Sequence, residues 1–168
     1  MKSNIAETNN WYVLYTLPNY ERKVYTTLRK RMITAFLPLQ KDVRQWSDRK
    51  KIIEIPLFPN YIFLQTKAKD RFSALEIHGV KRYVSFDGHP VIVPEQDIEI
   101  IQRASSADNV KIGQTLVKGD KVTITEGPFI GMTGIFFEKK SSRFGINIQS
   151  INMTLFIDIN SSFVKESK

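Results

Sequence analysis

Residues 57–65 read LFPNYIFLQ, and this apolar and aromatic run is the strongest strand signal in the chain. A single proline, Pro59, interrupts it. A second compact run at Trp11–Leu17 predicts another buried strand. These two runs therefore predict strands near both ends of the first 65 residues.

The segment after the first strand has the period of a helix. Pro18 breaks the strand, and Asn19 is predicted to cap the helix that follows. Apolar residues then recur at every fourth position and predict one stripe, which comprises Tyr20, Val24, Leu28 and Met32. Basic residues occupy much of the remaining helix surface.

Shorter signals complete the amino-terminal part of the chain. They comprise strands at 36–39, 52–55, 82–86 and 91–93, helices at 70–77 and 94–103, and a charged hairpin tip at 47–50. The order β-α-β-β-α-β-α predicts an α+β fold, in which an amino-terminal antiparallel sheet packs against flanking helices.

The pattern changes after residue 104. Small polar residues at 105–114 predict a linker. Five short strands punctuated by glycines then predict a small carboxy-terminal β-barrel. The predicted organisation is a disordered tail, an amino-terminal domain, a linker and a carboxy-terminal domain, at residues 1–10, 11–104, 105–114 and 115–168.

Positive charge is concentrated in one segment. The formal net charge is +8, and residues 20–51 contain ten basic and three acidic side chains. A charge focused in this way indicates a polyanionic partner, for which nucleic acid is the usual candidate. The alternative is a basic face that only interacts with solvent.

The composition argues against several classes of function. The chain has no cysteine, which excludes disulfides and thiol nucleophiles, and its two histidines, His78 and His89, stand apart. The glycines of residues 127–134 (GPFIGMTG) fit neither a P-loop nor a dinucleotide fingerprint. No apolar run approaches the roughly 20 residues of a membrane span. We therefore expect a cytoplasmic monomer without catalytic activity, cofactor, metal or membrane segment.

Motifs in both halves resemble one family. The stretches WYVLY (11–15), ERKV (21–24) and PLFPNYIF (56–63) resemble the amino-terminal domain of NusG-type transcription elongation factors. GDKV (119–122) and GPFIGMTG (127–134) resemble the KOW motif of their carboxy-terminal β-barrel. The resemblance spans residues 11–165.

Two finer features resemble specialised members of that family. Residues 37–40 (LPLQ) and 44–51 (RQWSDRKK) are similar to UpxY-type antiterminators, which act on surface-polysaccharide operons. Residues 57–63 and 90–94 are also similar to RfaH. The resemblance implies a factor that binds RNA polymerase and suppresses pausing and termination at selected operons.

The resemblance also implies which residues contact these partners. The polymerase clamp helices would bind an apolar patch formed by Tyr15, Phe58, Tyr61, Phe63 and Phe86. The non-template DNA strand would bind Lys23, Lys30, Arg31, Arg44, Trp46, Arg49, Lys50 and His78. The KOW domain would recruit a further partner, such as a small-subunit ribosomal protein.

Four points stay open in the sequence. Aromatic residues in strands also pack simply as core. RfaH has a His-Thr-Thr run that contacts the polymerase gate loop, and Asp70–Ser73 stands there in this chain, so a gate-loop contact stays open and cannot be assigned residue by residue. The KOW segment of RfaH can rest as a helical hairpin, whereas β-branched residues favour a constitutive barrel here. Rival functions are a KOW-containing RNA-binding or ribosome-associated protein, and a DNA repressor.

Overall fold

The computed structural model describes residues 8–107, 110–113, 119–138, 143–158 and 164–166. The chain divides into two compact units, Met1–Ile98 and Glu99–Lys168. The predicted domain boundaries stay a prediction, and residues 1–7 of the predicted tail lie outside the described residues.

The amino-terminal unit is built on an antiparallel sheet. In chain order its elements are β1 (Asn9–Thr16), α1 (Glu21–Lys30), β2 (Thr34–Phe36), β3 (Leu39–Gln45), β4 (Lys50–Pro56), β5 (Tyr61–Lys67), α2 (Phe72–Leu75), β6 (Val80–Tyr83), β7 (Ser85–Phe86), β8 (His89–Pro90), β9 (Ile92–Val93) and the start of α3 (Glu95–Ser105). The main sheet has the order β2-β5-β1-β6, and β9 also pairs with β1. The predicted antiparallel sheet with helices is confirmed.

The core of this unit lies between the sheet and α1. Side chains alternate along a strand, so Tyr12 and Leu14 of β1 share one face with Ile62 and Leu64 of β5. Val24 and Leu28 of α1 are fully buried against this face, as the predicted stripe requires.

The prediction that Met32 is the last residue of the apolar stripe of α1 is wrong. The residue is 91% exposed, because α1 ends at Lys30 and the backbone of Met32 takes a φ of 58°. Helical spacing therefore no longer applies at this position.

The predicted strand at 57–65 begins later than expected. Leu57–Asn60 form a turn in which the Tyr61 amide donates to the Phe58 carbonyl at 3.1 Å. Pro59 has no N–H to donate and Asn60 takes a φ of 69°, so a β-ladder cannot start before Tyr61.

The prediction that Asn19 caps α1 is also wrong. Asn19 takes a left-handed φ of 64°, and within the described residues no side chain caps α1.

The second unit is mostly β structure. After the end of α3 it contains β10 (Val110–Gly113), β11 (Asp120–Ile124), β12 (Thr133–Glu138), β13 (Arg143–Ile148), a 3₁₀ turn (Gln149–Ile151), β14 (Met153–Asp158) and β15 (Val164–Glu166). The strand prediction is confirmed for this unit. The sheet order is β10-β14-β13-β12-β11-β15, and no pairing between β10 and β15 closes it in the described ranges, so the predicted closed barrel is not confirmed.

One strand of this unit lies where the sequence predicts a linker. Val110–Gly113 lie in the predicted linker but form β10, whose Val110 is buried and pairs with Ile157.

Gly134 of β12 is needed for close packing against β13, because a Cβ there would lie 2.7 Å from the Gly145 carbonyl oxygen.

Raising the pH above about 10 is expected to destabilise the amino-terminal unit through Tyr83. Its side chain is 6% exposed and its hydroxyl donates to the Arg71 carbonyl at 2.7 Å. Burial raises the pKa of Tyr83 well above the ordinary value of 10.0. The folded state therefore retains a proton that the unfolded chain loses, and stability falls by at most about 1.4 kcal/mol per pH unit.

The measurement is denaturant unfolding between about pH 8 and pH 11. Tyr83→Phe is the control, since phenylalanine cannot ionise and its stability should depend less steeply on pH. Equal slopes for both proteins would contradict the assignment to Tyr83.

Candidate functional site

An aromatic row lies on the sheet face opposite α1. The β1–β5 register sets Tyr15 directly across from Tyr61, and their rings meet edge to face with centroids 5.6 Å apart. Phe63 continues the row along β5. Its ring lies 6.1 Å from that of Phe36 and 5.8 Å from that of Phe58.

Burial divides the residues predicted to bind polymerase. Tyr15 and Tyr61 are half-buried, whereas Phe58 and Phe63 have no exposed surface at all. The structure therefore offers two tyrosines of the predicted set as a contact surface, whereas the two phenylalanines pack against each other in the interior. A direct contact by Phe58 or Phe63 would need a rearrangement of the core.

Arg82 completes the exposed part of this row. It lies across from Tyr15 in the β1–β6 pairing, and its guanidinium carbon is 5.1 Å from the Tyr15 ring centroid. Burial and the Tyr15 hydroxyl raise the pKa of Tyr61, while the charge of Arg82 opposes that shift. We call Tyr15, Tyr61 and Arg82 the tyrosine patch.

Phe86, the fifth predicted contact, lies on a separate hairpin. Strands β7 and β8 pair through Phe86 and His89, and Asp87 and Gly88 both have positive φ between them. Two positive φ values in a two-residue turn match the right-handed twist of a hairpin. Phe86 is 80% exposed at this tip, so it is available for contact.

The outer face of α1 borders an open groove of ≈ 460 Å³. It is lined by Arg22, Lys23, Thr26, Thr27, Lys30 and His78. The structure thus brings together Lys23, Lys30 and His78, which were predicted to bind nucleic acid. His78 is placed by Tyr20, whose hydroxyl lies 3.4 Å from Nε2 and whose ring meets the imidazole edge to face at 5.2 Å. We call this the basic groove.

The β3–β4 hairpin carries the other predicted nucleic-acid residues. Its tip is closed by a 2.8 Å bond from the Trp46 amide to the Arg49 carbonyl, and Arg49 and Lys50 are exposed. Trp46 is 49% exposed, and Lys51 Nζ lies 4.8 Å from its ring centroid. Arg44 is paired with Asp42 at 3.1 Å, which reduces the charge that it offers to a ligand.

Arg22 links the basic groove to the β3–β4 hairpin. Arg22 of α1 lines the groove and donates to the Glu54 carbonyl of β4 at 3.0 Å. Sequence reasoning missed Arg22 and Lys51 as site residues, although both belong to the basic segment of residues 20–51.

Arg31 is placed differently from its prediction. Its Nη1 donates to the Ser73 carbonyl at 3.0 Å and lies 3.8 Å from the Glu76 carboxylate. Its guanidinium therefore ties the end of α1 to α2, and its role as a phosphate contact stays a prediction.

The described ranges contain no group of three or more histidine, cysteine, aspartate or glutamate side chains arranged to hold a metal ion. None of the helices described has both the length and the apolar character needed to cross a membrane.

Comparison with known proteins gives consistent matches. The family model described as "Transcription termination factor nusG" matches residues 9–102, which is more than half of the chain. The chain is 24% identical over 180 aligned positions to the transcription termination/antitermination protein NusG of Rickettsia bellii, covering 99% of this chain and 95% of the relative. It is 26% identical over 155 positions to that of Thermus thermophilus, covering 79% and 84%.

The fold is also similar to a solved structure. A structure titled "Domain interaction in Thermotoga maritima NusG" matches with a TM-score of 0.61 at 20% identity, covering 97% of this chain and 99% of that one. This likeness supports the fold, and the family model supports the membership. The chain belongs to the NusG family of transcription termination factors.

Proposed function

We propose that this chain binds transcribing RNA polymerase and suppresses pausing and termination at selected operons. The observation that carries the proposal is the tyrosine patch. Tyrosine and arginine are enriched at the centres of protein interfaces, because each combines a large contact area with a polar group. The patch would receive the clamp helices of the polymerase, and exposed Phe86 would add a contact beside it.

The basic groove and the tip of the β3–β4 hairpin would bind the non-template DNA strand. Lysine and arginine side chains bind phosphates without reading sequence, so Lys23, Lys30, Arg49 and Lys50 would fix the position of the strand. Trp46 has an exposed ring on which one unpaired base can stack.

The choice of operon and the second partner belong to the same proposal. The likeness of residues 37–51 to UpxY-type antiterminators supports action at surface-polysaccharide operons. The second unit would serve as a KOW barrel that recruits a small-subunit ribosomal protein. The whole factor would act as a cytoplasmic monomer without catalytic activity.

Replacing Tyr15 with alanine is expected to weaken binding to the isolated clamp helices by about 2 kcal/mol, or roughly 30-fold. Tyr15 is half-buried, so the change removes contact area while leaving the fully buried core in place. Titration calorimetry with a clamp-helix peptide gives the affinity.

Phe72→Ala is the matched control for that experiment, since it removes another exposed aromatic ring from the same unit. It should bind the peptide like the wild type. Wild-type affinity of Tyr15→Ala would reject the docking assignment. Recovery of ribosomes without polymerase in a pull-down would favour a ribosome-associated protein instead.

A further inference from the structure

The connection between β1 and α1 is bonded to the turn before β5. The Thr16 amide donates to the Asn60 carbonyl at 2.8 Å, and the Asn60 amide donates to Glu21 Oε1 at 2.9 Å. Glu21 is the first residue of α1 and is only 7% exposed. A buried carboxylate thus accepts a bond from a turn on a different element.

This bond satisfies a backbone group that the sheet does not pair. Asn60 takes a φ of 69° and precedes the first residue of β5, so its amide lies outside the β1–β5 ladder. A bond from an amide to a carboxylate is stronger than one between neutral groups. The carboxylate also lies in the first turn of α1, where the helix dipole favours negative charge.

The other side of the same connection is held by Gly79. The Leu17 amide donates to the Gly79 carbonyl at 2.8 Å. A Cβ at Gly79 would lie 2.9 Å from the Tyr20 Cβ, so the two backbones approach closely. With Gly79 on one side and Asn60 on the other, the start of α1 has little room to shift.

Both tyrosines of the tyrosine patch are next to this arrangement in the chain. Tyr15 precedes Thr16, and Tyr61 follows Asn60. We propose that Glu21 is a positioning residue, which holds the Asn60 turn so that Tyr15 and Tyr61 keep their edge-to-face geometry at a fixed place relative to the basic groove on α1. This inference rests on the proposed function, because it assigns the geometry a role in polymerase docking.

The test compares three variants of the full chain. Glu21→Ala should weaken clamp-helix binding about 10-fold, because the Asn60 amide loses its acceptor. Glu21→Gln has a side chain of the same length that still carries an acceptor oxygen, so its affinity for the clamp helices should stay within about 2-fold of the wild type. Val24→Ala truncates a fully buried side chain one turn along α1 and leaves the carboxylate intact, so it should bind like the wild type when folded.

Two readouts on the free protein separate positioning from simple stability. Nuclear Overhauser contacts between the Tyr15 and Tyr61 rings should weaken in Glu21→Ala and persist in Val24→Ala. The pKa of Tyr61, which burial raises, should move back towards its ordinary value in Glu21→Ala alone. Should Glu21→Ala not fold, Glu21→Asp retains the charge but shortens its reach, and the same losses are expected in smaller degree.

Wild-type binding and wild-type ring contacts in Glu21→Ala, or in Glu21→Asp if the former does not fold, would overturn the inference. Equal loss of binding in Val24→Ala would overturn it too, because stability alone would then explain the effect. A wild-type chain that fails to bind the clamp helices would instead reject the proposed function. The ring contacts and the Tyr61 titration would still decide whether Glu21 sets the patch geometry.

Discussion

Replacing Phe58 with alanine is expected to lower the free energy of unfolding of the amino-terminal unit by about 3–5 kcal/mol. Phe58 has no exposed surface, and its ring meets that of Phe63 edge to face at 5.8 Å. Truncation would remove this contact and leave a cavity beside the Phe63 ring. Loss of polymerase binding by this variant would therefore follow from loss of structure.

Tryptophan fluorescence during denaturant unfolding measures this effect cleanly, because Trp11 and Trp46, the two tryptophans of the chain, both lie in the amino-terminal unit. Phe86→Ala is the control. It removes an 80% exposed ring and should change stability by at most about 0.5 kcal/mol. If Phe58→Ala keeps wild-type stability but loses clamp-helix binding, the contact role predicted from sequence is restored.

The contrast between Tyr15 and Phe58 shows how far the sequence alone determines the proposed docking surface. The apolar runs were sufficient to predict the strands, and the resemblance to the family placed Tyr15 among the contact residues. Only the β1–β5 pairing of the structure, with alternation along the strand, separates Tyr15 from Tyr12 and Leu14, which face α1. Phe58 could not be assigned by alternation, because it lies in a turn before the ladder begins. Whether such a residue is buried depends on where Pro59 and Asn60 direct the chain, which is a tertiary property.

A similar difference separates neighbouring cations. Lys30 and Arg31 are adjacent in the basic segment, yet Lys30 lines the basic groove and Arg31 bonds to α2. Their separation depends on where α1 ends and where α2 packs. Arg82 was missed for a related reason, since only the β1–β6 register places it over Tyr15.

In the second unit, local preference was a good guide to the strands except at residues 110–113. Val110 and Ile112 have the alternating apolar character of a strand, but small polar neighbours suggested a linker. Pairing with β14 overrides that local composition. Barrel closure is a long-range property that no single strand pattern encodes.

Removing the cations of the basic groove and the hairpin tip is expected to weaken single-stranded DNA binding on the order of 100-fold at about 0.1 M salt. The two pairs are Lys23→Gln with Lys30→Gln in the groove, and Arg49→Gln with Lys50→Gln at the tip. Each phosphate contact releases counterions, so each pair should reduce the slope of log affinity against log salt by about 1.4. Fluorescence anisotropy over a salt series gives both quantities.

The matched control removes two charges from another place on the same unit. Lys67→Gln with Lys69→Gln alters the end of β5 and the turn that follows it, and Lys67 pairs with Asn9 and not with the tyrosine patch. General attraction between a protein of net charge +8 and DNA would weaken equally in all three pairs. A localised contact predicts a loss confined to the groove and tip pairs, with clamp-helix binding unchanged. If the control pair lowers the slope as much as the other two, the basic segment of residues 20–51 is a solvated face, as the alternative from the sequence holds.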